Sequence, residues 1–165
     1  QVSGRSNNFM IDRFSFFKGN PQGAQSTSAP VSPCDIGARF CDSEVNSSGS
    51  TASMAAAGSV SVSDNSFTIT ARPVPNDTVG IFYFGDDSVN TPFGNGRRCV
   101  GGQTFRLPLT HANGTLLSHT LDFGQGSATF ITPGSSWNFQ AWFRDMPAGG
   151  ALFDTSDGFS VNFVQ

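Results

Sequence analysis

The chain has one lysine (Lys18), one glutamate (Glu44) and one tyrosine (Tyr83) in 165 residues. Gln, Met and Leu are also scarce, so the strong helix formers are thinly spread and neither a helical bundle nor a coiled coil is expected. With 9 Lys and Arg against 12 Asp and Glu, the net charge is −3. That balance gives a polyanion no electrostatic support, so no nucleic-acid partner is expected. No apolar run approaches the roughly 20 residues that a membrane-crossing helix needs, so no membrane span is expected. The chain starts at Gln1 and shows no charged segment followed by an apolar one. This is read as the mature form of a secreted chain.

Catalytic signatures are missing as well. There is no Gly-x-Ser-x-Gly elbow, no His-Glu-x-x-His and no Cys beside a His in a recognisable motif. GNGRRCVGG (94–102) lacks the Gly-Lys-Ser/Thr order of a phosphate loop, and Arg97-Arg98 reads as a solvated turn. His111 and His119, the two histidines, read as ordinary strand-end or turn residues. The expectation is a protein that is not an enzyme and carries no catalytic residues and no cofactor.

There are three cysteines: Cys34, Cys41 and Cys99. They allow one internal disulfide in three ways, with one thiol left free or pairing between chains. Six residues separate Cys34 from Cys41 and no histidine lies nearby at finger spacing, which argues against zinc.

What is abundant is phenylalanine, 17 in all. At this length a single domain can bury a sizeable core. Residues 18–33 (KGNPQGAQSTSAPVSP) form a linker by composition. Ahead of it, residues 1–17 form an arm in which Phe9, Ile11, Phe14 and Phe16 sit at near-alternating positions, the pattern of one short strand. The body, 34–165, reads as short strands between turns. Val60 and Val62 followed by Phe67, Ile69 and Ala71 read as a hairpin. VGIFYF (79–84) reads as a central strand buried on both faces. TFRLPL (104–109) and LLSHTLDF (116–123) flank the turn at Asn113-Gly114. ATFI (128–131) reads as a further strand, whereas TASMAAAG (51–58) carries only a weak helical signal. In SSWNFQAWFRD, Trp137, Phe139, Ala141 and Phe143 alternate with Asn138, Gln140, Trp142 and Arg144. Phe159, Val161 and Phe163 alternate in the last strand. Seven to nine short strands without a helix predict an all-β sandwich, jelly-roll or Ig-like, with an N-terminal extended arm.

Two kinds of ligand feature are present. Asp86, Asp87, Asp154 and Asp157 are weak calcium candidates, since calcium takes loop oxygens; aspartate also sits in turns for purely local reasons. Trp142, on the face opposite Phe139 and Phe143, and Tyr83 are candidates for a sugar platform. Asn46-Ser47-Ser48, Asn76-Asp77-Thr78 and Asn113-Gly114-Thr115 match the glycosylation pattern, which Ser/Thr/Asn-rich sequence yields by chance.

GIFYFG (80–85), PFGNGRRCVGG (92–102), WNFQAWFRD (137–145) and SDGFSVNF (156–163), in this order, resemble an uncharacterised β module at the C-termini of extracellular proteins of planctomycetes and similar bacteria. FCDSEVNSSG (40–49) is similar to that module's opening. The resemblance covers about residues 40–165 and implies a secreted or surface-associated β domain without assigned catalytic residues. It implies that Cys41 and Cys99 are the module's disulfide, leaving Cys34 as the odd thiol, free or intermolecular. Members are usually tails on longer chains and often end in a Cys-containing strand, whereas this chain ends Asn162-Phe163-Val164-Gln165.

Two functions are expected from these features. The first is an extracellular structural protein, a subunit of a bacterial surface fibre, pilus or matrix. It would self-associate by adding the strand of Phe9, Ile11, Phe14 and Phe16 to a neighbour's sheet. The second is a carbohydrate-binding or adhesion module of a secreted or cell-surface protein, with glycans as partners.

Overall fold

The structure, a computed structural model, describes residues 36–165. The arm and linker expected over 1–33 lie outside the described residues, as do Phe9, Ile11, Phe14, Phe16 and Cys34.

Among the described residues, nine strands make two antiparallel sheets packed as a β-sandwich. They are β1 (Ala38–Phe40), β2 (Ser53–Ala57), β3 (Thr68–Arg72), β4 (Val79–Phe93), β5 (Gly96–His111), β6 (Leu117–Thr120), β7 (Ser136–Arg144), β8 (Phe153–Thr155) and β9 (Gly158–Asn162). The larger sheet runs β1-β9-β7-β4-β5, with β8 also beside β7; the smaller runs β2-β3-β6. Alternating side chains build the core, as a period of two requires. Phe82 and Phe84 of β4 and Phe139, Ala141 and Phe143 of β7 point inward. Met54, Ile69, Ala71 and Leu117 complete the cluster from the smaller sheet. The Phe67 ring lies 5.1 Å from that of Phe163 and 6.1 Å from that of Phe139. Each such buried side chain contributes about 1.5–3 kcal/mol.

Four local readings are corrected. The strand paired with β3 is β2, the Ala-rich segment with the helical signal, and not Val60–Val62. Met54 meets the core from β2, so packing overrides propensity there; Val62–Asp64 is a 3-10 turn. The segments flanking Asn113-Gly114 do not pair with each other: β5 belongs to the larger sheet, and β6 crosses over to pair with β3. Residues 128–131 belong to a 3-10 turn over Gly126–Phe130 and its end, not to a strand. On β4, Phe82 and Phe84 are buried but Ile81 and Tyr83 are only half-buried, because the outer face of this strand opens to a cleft.

The β4–β5 hairpin shapes that outer face. Register shifts fall between Ile81 and Tyr83, Gly85 and Asp87, and Ser88 and Thr91. Bulges of this kind bend and twist a strand pair. Within the sheet β4 separates β5 from β7, yet the Arg97 carbonyl accepts hydrogen bonds from Gln140 of β7 (2.7 Å) and Thr155 of β8 (2.7 Å). The distal half of the hairpin therefore folds back over the sheet. Its tip needs glycine: Gly94 has φ +65°, and a Cβ there would stand 2.2 Å from the Phe153 ring. The Cys41–Cys99 disulfide ties the returning strand to the segment after β1, with Cα atoms 5.9 Å apart. It is the pairing that the resemblance implied.

Candidate functional site

The folded-back hairpin and the outer face of the larger sheet enclose an open cleft of about 610 Å³. Trp142 and Ile81 are register partners on β7 and β4, and Tyr83 pairs with Gln140 on one side and Arg106 on the other. Partnered residues share a face, so these side chains stand in two neighbouring rows. Phe93 and Arg98 reach the cleft from the distal half of the hairpin, and Thr104 from β5. The two sequence candidates for a platform, Trp142 and Tyr83, thus line one cleft.

Beneath it lies a polar anchor that the sequence did not disclose. Gln140 is fully buried on the outward parity of β7. Its Oε1 accepts the Tyr83 hydroxyl and the Cys99 N–H (2.8 Å), and its Nε2 donates to the carbonyls of Arg97 and Ser156 (2.7 and 2.6 Å). A buried amide with both ends satisfied fixes the strands around it. Burial pushes the Tyr83 phenol well above its ordinary value, against the opposing charge of Arg98. The hydroxyl proton is committed to Gln140, so Tyr83 offers the cleft its ring and no hydrogen-bond donor.

Trp142 is braced by Phe153, ring centroids 5.4 Å apart, and the Arg144 guanidinium lies 5.6 Å from its ring centroid. Phe93 packs on Phe153 at 5.1 Å, which joins the hairpin tip to the same aromatic cluster. Arg98 donates its Nε to the Val100 carbonyl at 2.8 Å, which holds the guanidinium at the cleft wall. Arg98 therefore lies within β5 and lines the cleft; the reading of Arg97-Arg98 as a solvated turn is corrected. Sequence reasoning missed Arg98, Arg106, Phe93 and Ile81 here. The parity of Ile81 and Tyr83 on β4 was a visible signal, but the fold-back that brings in Phe93 and Arg98 depends on bulges that leave no pattern.

The acidic candidates separate. Asp86 and Asp87 are exposed and bond backbone of their own hairpin, Asp86 accepting the Gln103 N–H across it and Asp87 the adjacent Ser88 N–H, each at 2.8 Å. Asp157 is buried and accepts the Met54 N–H at 2.6 Å. Burial raises its carboxyl to about 6, against the favourable Met54 bond and the Arg39 charge. Asp154 is also raised to about 6, by burial first and then by the charges of Asp145 and Glu44, against the Thr155 N–H bond. Among the described residues no three His, Cys, Asp or Glu side chains form a group that could hold a metal ion. No helix among them is long and apolar enough to cross a membrane. Asn46 of the first glycosylation match is buried and donates its Nδ2 to the Pro73 carbonyl at 2.9 Å, so the folded chain withholds it from modification.

No family model, no curated protein and no solved structure matches this chain.

Proposed function

We propose that this β-sandwich is a carbohydrate-binding module of an extracellular or cell-surface protein, and that the cleft of Trp142, Tyr83, Arg98 and Arg106 is its binding site. The single observation that carries this reading is the convergence of aromatic rings and two arginines in one concave site. Apolar ring faces cover the C–H faces of a sugar, while guanidinium donors reach its hydroxyl or carboxylate oxygens. The volume is in the range of small-ligand sites. A glycan array probed with the full chain and with Trp142→Ala tests it: binding by the first and loss in the second is the expected result. An array blank for the intact chain removes the reading.

A second reading is strand addition into a surface fibre, pilus or matrix. It is favoured by the place of β5, a 16-residue strand at one end of the larger sheet with no partner on its outer side among the described strands. Such an edge is a template for an added strand. The candidate donor, Phe9 to Phe16, lies outside the described residues. Negative-stain microscopy of concentrated full chain tests this: filaments support it, and monodisperse particles at every concentration contradict it.

A further inference from the structure

Asp145 and Asp154 are each fully buried, and each has one carboxylate oxygen with no hydrogen-bond partner. Their other oxygens are engaged. Asp145 Oδ2 accepts the Ser47 N–H at 2.9 Å, and Asp154 Oδ1 accepts the Thr155 N–H at 2.7 Å. Asp154 lies on β8 opposite Phe143 of β7, and Asp145 directly follows β7, its N–H bonding the Leu152 carbonyl at 2.9 Å. Two positions apart along one side of this antiparallel pair, they are diagonal neighbours.

Like charges buried together are costly unless a partner compensates them. Orphaned polar atoms in an otherwise well-bonded interior call for a missing occupant. A water molecule would donate hydrogen bonds but leave the charge. A cation answers both needs. All the donors are oxygen, with no His or Cys, which disfavours zinc and other soft metals.

We propose that Asp145 and Asp154 bind a calcium ion. Two buried aspartates fall short of a dense acidic metal centre, in keeping with the absence of any group of three among the described residues. Calcium accepts such a set because it takes six to eight oxygens and draws the remainder from carbonyls, amides and water. The ion would bridge β7 to β8 and steady the Ser47 loop, which Asp145 already holds. Asp86, Asp87 and Asp157, whose carboxylates bond local or core backbone, stay outside this site.

The test uses the full chain at pH 7.5 after EDTA treatment. Equilibrium dialysis with labelled calcium should find one ion per chain at about 1 mM, within the range of extracellular modules. Calcium at a hundredfold excess over its Kd should raise the melting temperature by roughly 5–10 °C. Asp145→Asn and Asp154→Asn should each abolish that response while raising the melting temperature in EDTA, because each removes a buried like charge. Asp86→Asn should keep the response. No ion bound at about 10 mM, or a calcium response that survives Asp154→Asn, would overturn the proposal. Should the asparagine variants not fold, dialysis of the unmodified chain alone decides.

Discussion

Gln140 Oε1 accepts the Cys99 backbone N–H at 2.8 Å, and so joins the middle of the larger sheet to the strand that returns over it. The same side chain holds Tyr83, Arg97 and Ser156. Gln140→Leu keeps the approximate volume and takes the side-chain partner from the Tyr83 hydroxyl, the Cys99 N–H and the Ser156 carbonyl, while the Arg97 carbonyl keeps Thr155. We expect a loss of about 3–5 kcal/mol in urea unfolding, together with weaker glycan binding as the cleft wall loosens.

The Cys41–Cys99 bridge closes a separation of 58 residues. In the loop-entropy account, Cys41→Ser with Cys99→Ser removes roughly 4 kcal/mol. Mass mapping without reduction should recover the Cys41–Cys99 peptide, and a Cys34–Cys41 peptide would contradict the structure.

Asp157 has its folded carboxyl raised to about 6 from 3.8. The folded state therefore holds a proton that the unfolded state has released, and stability falls as pH rises from about 4 to about 6. The groups acting on the carboxyl are the Met54 N–H, Arg39 and Asp42. In EDTA, Asp157→Asn should flatten that part of the melting-temperature profile, and an unchanged profile would refute the assignment.

Arg106 is exposed on β5. Arg106→Ala should leave stability within about 0.5 kcal/mol of the parent. Binding of carboxylate-bearing glycans should fall about tenfold and lose much of its salt sensitivity, since a surface charge is screened by salt. Neutral glycans should change little. The two classes together distinguish charge recognition from ring contact.

The strands that carry aromatic alternation were readable from the residues alone. Phe139, Ala141 and Phe143 of β7 and Phe159, Val161 and Phe163 at the C-terminal end face inward as their spacing implies. Trp142 stands out by falling on the other parity, whereas the continuous apolar run around Tyr83 hides that its face opens outward. β2 escaped notice because alanine and methionine favour helices, and only the facing sheet gives Met54 its place. The wall formed by Phe93 and Arg98 depends on bulges in β4–β5 and on Gly94 lying against Phe153. Glycines and bulges do not announce which distant strand they will meet. Gln140 lies on the parity opposite Phe139, and its burial comes from the hairpin that covers it.

The most direct test of the cleft follows the emission of Trp142 itself. The chain has two tryptophans, so Trp137→Phe leaves Trp142 as the single reporter; Trp137 packs edge-on against Phe84 at 5.1 Å, away from the cleft lining. Titrated with a glycan that binds the full chain on an array, this variant should show a saturable shift in emission with the affinity of the parent. Retained glycan binding with Trp142 emission unchanged at saturation would contradict the assignment of the site.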